Sequence, residues 1–94
     1  MINQNTVETR KVTINNPDGL HLRVASEVVK ICQGRDAQVS FSCGDCAEAD
    51  GCSILSLLML TAGEGSDITI KAKGNDAKKV IEEISTYFTN GAGI

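Results

Sequence analysis

The chain changes its hydrophobic period several times, and each change marks an element. Residues 10–14 place Val12 and Ile14 on one face of an alternating run, the pattern of a half-buried strand. Asn15, Asn16, Pro17, Asp18 and Gly19 then end it with consecutive turn formers. From Leu22 the period lengthens. Leu22, Ala25, Val29 and Cys32 recur at helical spacing, and Gly34 stands where a left-handed C-cap falls, so a helix is predicted over 22–33. Its N-cap position holds His21, an unusual choice where Ser, Thr, Asp and Asn dominate. Val39 and Phe41 alternate with Ser40 and Ser42 as a second strand. Gly44-Asp45 reads as a hairpin turn, and 46–50 returns as a third strand with weak propensity. Ser53 precedes a short apolar helix over 54–60. A Gly-containing loop follows over 61–66, and Ile68, Ile70 and Ala72 alternate as a fourth strand. Asn75 or Asp76 opens the last helix, where Ala77, Val80, Ile81, Ile84 and Phe88 share one face while Lys78, Lys79, Glu82 and Glu83 face water. Asn90-Gly91 ends it.

The order β-α-β-β-α-β-α predicts an α+β domain of two layers, a mainly antiparallel four-stranded sheet with three helices on one face. Its 94 residues suffice for one domain, over 10–90, with a loose polar arm at 1–9 and a short tail at 91–94. With no Trp, and Phe41, Tyr87 and Phe88 the only aromatics, the core must be aliphatic. A net charge of −3 argues against nucleic acid as a partner. No apolar run has the length of a membrane span, and residues 1–10 lack the apolar segment of a secretory signal. A cytoplasmic location with reduced thiols is the expectation.

His21 is the only histidine, so a triad or metal site built on two histidines is excluded. It follows a turn and opens a helix, where the first amide N–H groups lack partners and attract anions. A phosphoryl group on the imidazole would lie at those amides, with Arg23 placed to hold its oxygens bidentately. A neutral imidazole is nucleophilic near pH 7 without a partner base. The plainer alternative is an exposed capping histidine with no further role.

Pro17-Asp18-Gly19-Leu20-His21-Leu22-Arg23 resembles the phosphorylation segment of the HPr family, the histidine phosphocarriers of the bacterial phosphoenolpyruvate–sugar phosphotransferase system. Ser53-Ile54-Leu55-Ser56-Leu57-Leu58-Met59-Leu60 is similar to that family's regulatory-serine helix. The resemblance covers about residues 10–90 and implies an HPr-like open-faced sandwich. It implies that His21 takes a phosphoryl group from the system's first enzyme and passes it to sugar-specific acceptor domains, as a stoichiometric carrier rather than an enzyme. The Leu22 and Arg23 amides and the Arg23 side chain would bind the phosphate. Ser53 would be the target of a serine kinase in hosts that have one. Lys30, Ile54, Leu55 and Leu58 would form the docking face. No metal, cofactor, nucleic acid or membrane insertion is implied, and the protein is expected to be a monomer.

The chain departs from the family in three ways. Val24 replaces the usual Pro after the arginine, a loss of rigidity rather than of chemistry. The N-terminal arm is longer. Four cysteines appear, with Cys43 and Cys46 flanking the hairpin turn and Cys32 and Cys52 elsewhere. These could be passive small apolar residues, a redox pair across the hairpin, or zinc ligands. Four free thiols and no metal are expected. A regulatory module acting through Ser53 and a cysteine-based metal or redox module stay open as alternatives to the carrier.

Overall fold

A computed structural model of the protein describes residues 7–16, 19–44, 48–60 and 63–90. The elements run β1 (Val7–Thr13), α1 (Leu22–Cys32), β2 (Gln38–Ser42), β3 (Ala49–Asp50), α2 (Ile54–Leu58), β4 (Asp67–Lys73) and α3 (Ala77–Thr89). The four strands form one sheet in the order β1-β4-β2-β3, every neighbouring pair antiparallel. β4 is last in sequence and central in space, because its Ile68, Ile70 and Ala72 are fully buried and need strands on both sides.

α3 lies over β1 and β4, α2 packs by β3, and α1 touches both α2 and α3. The helices share one continuous core with the sheet, in which Val24, Val28, Phe41, Leu57, Ile84 and Phe88 are almost wholly buried. The α+β sandwich expected from the order of elements is therefore the observed fold.

Several boundaries differ from those predicted. β1 begins at Val7, so residues 7–9 belong to the sheet and not to the arm expected over 1–9. Val7 pairs with Lys73 and Thr13 with Asp67, so the ladder is as long as β4. Alternation could not show this, since Val12 alone is buried along β1. Pairing continues past the strand, with the Gly65 N–H donating to the Ile14 carbonyl at 2.7 Å. α2 stops at Leu58, and Leu60 closes a tighter turn onto the Leu57 carbonyl. Only Ala49–Asp50 of the third strand is seen as strand, and the turn at 45–47 lies outside the described residues.

The start of α3 is tied to the loop after α1. The Asp76 carboxylate makes no capping bond to its own helix and instead accepts the Asp36 N–H at 2.8 Å. Asn75 donates to the Asp36 carboxylate at 2.7 Å, and Arg35 pairs with Glu83 of α3. Gly74 makes this junction possible. Its φ is 138°, and a Cβ there would stand 2.5 Å from the Asp36 carbonyl oxygen. Gly74→Ala should therefore destabilise the fold by about 2–3 kcal/mol. Chemical denaturation checks this; a loss below about 0.5 kcal/mol would contradict the close approach.

Candidate functional site

The turn before α1 is built from one asparagine. The Asn16 backbone carbonyl accepts the Gly19 N–H at 3.1 Å, and the Asn16 side chain donates to the Gly19 carbonyl at 2.7 Å. Gly19 adopts φ 67°, a left-handed conformation that suits glycine. Its carbonyl also accepts the His21 N–H at 3.1 Å, and buried Leu20 anchors the turn to the core. Pro17 and Asp18 lie outside the described residues.

His21 is extended at φ −108°, ψ −177° and caps α1 as predicted. Its carbonyl accepts the Ala25 N–H at 2.8 Å, while its imidazole Nδ1 accepts the Arg23 N–H at 3.3 Å. An accepting Nδ1 carries the lone pair, so in the neutral ring the proton is on Nε2. Nε2 is buried and has no hydrogen-bond partner among the described residues. One ring nitrogen thus faces the first amides of the helix with its lone pair, and the other is covered.

Arg23 is exposed at the start of α1, and its guanidinium reaches the seam with α3. Burial raises the Tyr87 phenol above its usual range. The guanidinium beside it partly offsets this, and Glu27 adds to the rise. The Tyr87 hydroxyl is buried beside that guanidinium. Val24 is fully buried in the core, so the residue replacing the family's Pro has a packing role.

The expected docking residues do not all share one surface. Leu55 is 69 % exposed, but Ile54 and Leu58 are half-buried and pack against the core. Lys30 is exposed and carries a carboxylate neighbour, Glu27, at 3.6 Å. It borders a shallow groove with Ile31, Arg35 and Glu83, on the α3 side of α1 rather than beside α2. Two side chains that the sequence reading did not assign to docking are prominent instead: Leu22, 61 % exposed, and Met59, 73 % exposed. By helical spacing Leu22 is expected on the buried face of α1 with Ala25, Val29 and Cys32. That face runs through Val24, Ala25, Val28, Val29 and Cys32, and position 22 falls to one side of it. The pattern contained the signal, since Val24 and Val28 shift the centre of the apolar face away from position 22. Ser53 caps α2, its Oγ accepting the Ser56 N–H at 3.2 Å.

Among the described residues Cys32, Cys43 and Cys52 are free thiols, and no three His, Cys, Asp or Glu side chains are grouped to hold a metal. Cys46, and with it the geometry of the pair across the hairpin, lies outside the described residues. Burial, with smaller contributions from Cys52 and Asp50, pushes the Cys32 thiol up to about 12. Cys52 is exposed and is raised by partial burial and by Asp50. Thiolates are the reactive species. Iodoacetamide at neutral pH should therefore label Cys52 well before Cys32 in the native protein, and equal rates by peptide mass analysis would contradict the placement of Cys32.

The site defines a class: a small α+β protein whose one histidine caps a helix N-terminus through its imidazole. Comparison with known proteins agrees. The family model described as "PTS HPr component phosphorylation site" matches residues 8–90, and the chain belongs to this family of phosphocarrier proteins. It is 36 % identical over 81 residues to phosphocarrier protein HPr of Chlamydia muridarum, covering 85 % of this chain and 76 % of that one. It is 39 % identical over 75 residues to phosphocarrier protein NPr of Shewanella violacea, covering 80 % and 81 %. The crystal structure of a phosphocarrier protein HPr from Bacillus anthracis superposes with a TM-score of 0.82 at 27 % identity, over 89 % of this chain and 99 % of that one. No helix among the described residues is long and apolar enough to cross a membrane.

Proposed function

We propose that the protein is a phosphoryl carrier whose acceptor is His21 Nδ1, charged by the phosphoenolpyruvate-dependent first enzyme of the phosphotransferase system and discharged to sugar-specific acceptor domains. The observation that carries this is the 3.3 Å approach of the Arg23 N–H to Nδ1 at the cap of α1. In the transfer step the Nδ1 lone pair attacks phosphorus. The new N–P bond forms as the bond to the donor breaks, and that electron pair leaves with the donor. Nε2 keeps its proton throughout. The Arg23 N–H then turns from the ring to a phosphate oxygen, joined by the Leu22 N–H, because neither has a carbonyl partner within the helix. The Arg23 guanidinium moves from the α3 seam to add a charge-assisted contact.

The docking face of this reading is Leu22, Leu55 and Met59, three exposed apolar side chains at the start of α1, on α2 and at the C-cap of α2. Lys30 stands apart from this face, on the α3 side of α1, with its charge attenuated by Glu27. A phosphoryl group on Ser53 would stand at the start of α2 beside this face. It would add about −1.5 to −2 charge there and disfavour an acidic partner surface. The carrier acts stoichiometrically, in the cytoplasm, as a monomer, with no metal or cofactor of its own.

The decisive test is acid-labile phosphorylation from phosphoenolpyruvate and a first-enzyme preparation. One phosphoryl group per chain is expected in the wild type and none in His21→Ala; label retained in that variant would overturn the assignment. Arg23→Lys should slow transfer roughly tenfold, the worth of one charge-assisted hydrogen bond, with little change in stability. Unchanged transfer kinetics would remove Arg23 from the mechanism. Ser53→Asp retains a capping oxygen, so its denaturation midpoint should hardly move. Its transfer from the first enzyme should fall by roughly tenfold, about 1.4 kcal/mol of docking. Equal rates would argue against a switch at Ser53.

A further inference from the structure

We infer that Asn16 is a positioning residue for His21, its buried carboxamide oxygen accepting the imidazole Nε2–H when Nδ1 carries a phosphoryl group. The inference rests on the carrier reading of His21. Asn16 is 1 % exposed and, with Ser85, is one of two buried polar side chains among the described residues. Its Nδ2 donates to the Gly19 carbonyl at 2.7 Å, and the His21 N–H donates to the same oxygen at 3.1 Å. The carboxamide and the histidine backbone therefore meet at one atom. The Gly19 bond also fixes which end of the amide is nitrogen, so Oδ1 points away from that carbonyl.

Among the described residues, Asn16 Oδ1 and His21 Nε2 are both buried without a hydrogen-bond partner. One is an acceptor. The other, in the tautomer selected by the Arg23 N–H, is a donor. Two complementary buried groups left open in one turn are unfavourable in a resting protein, and such groups call for a reason. Phosphorylation supplies one. A ring phosphorylated on Nδ1 holds its remaining proton on Nε2 and donates it more strongly. The Arg23 N–H, now on the phosphate, no longer restrains the ring. With that restraint gone, the ring is free to turn about the Cβ–Cγ bond and present Nε2–H to Oδ1. A partner on the second nitrogen fixes an imidazole's orientation and tautomer, as it does for metal-bound histidines.

The test uses the full chain with 15N-labelled histidine, phosphorylated chemically with phosphoramidate so that no partner enzyme is needed. In wild type the Nε2–H proton should be observable and should exchange with water about tenfold more slowly than in Asn16→Ala. Asn16→Asp keeps an acceptor oxygen but loses the donor to Gly19, so it should restore most of that protection. Transfer from the first enzyme should fall about two- to tenfold in Asn16→Ala, the worth of one hydrogen bond. The amide resonances of Arg23 and Ala25 report whether α1 still starts in place. Unprotected Nε2–H in the wild-type phosphoprotein would overturn the inference even if Asn16→Ala failed to fold. Equal behaviour of the Ala and Asp variants would overturn it too, leaving Asn16 a turn-holding residue. Absence of labelling by phosphoenolpyruvate and the first enzyme would instead overturn the carrier reading, while the chemically phosphorylated protein still reports on Asn16.

Discussion

The open N–H groups at the start of α1 are the constraint on which the arrangement depends. A helix cannot pair its own first amides, and Ser, Thr, Asp or Asn usually takes one of them. Here an imidazole nitrogen does so at 3.3 Å, more weakly than a short side-chain oxygen would. That weak cap leaves a lone pair in place and leaves the amides able to turn to an anion. In the carrier proposed here, capping and nucleophilicity are two uses of one atom.

The rest of the fold keeps that helix end fixed and accessible. Val24, Val28 and Cys32 seat α1 in the core, while Leu20 and Asn16 hold the chain that leads into it. At the other end, Arg35 and Asp36 fasten the loop after α1 to the start of α3. α2 and the turn that follows it pack beside α1 with Leu57 and Leu60 inward and Leu55 and Met59 outward. The exposed apolar side chains are thus offered by elements whose other faces are rigidly buried. This is how a domain of this size can hold a reactive group and a partner surface together.

Much of this was legible in the residues. The capping role of His21, the seven elements and their order, and the capping role of Ser53 follow from local periodicity and turn chemistry, which act over a few residues. What was not legible depended on partners distant in sequence. β1 is longer than its alternation because β4 sets the ladder. Leu22 looks like core by spacing and is exposed because Val24 and Val28 take the buried stripe. The resemblance implies one docking face for Lys30 and the α2 side chains, but they lie on different sides of α1 in space. Asn16 read as one more turn former, and only its burial shows that it carries the turn.

The central claim is that the start of α1 selects Nδ1 of His21 as the phosphoryl acceptor. Nitrogen–phosphorus correlation by NMR on the 15N-labelled protein, phosphorylated by phosphoenolpyruvate and the first enzyme, tests this directly. The account predicts a single phosphorus resonance coupled to His21 Nδ1. Coupling to Nε2, or a phosphoryl group on any other residue, would contradict it.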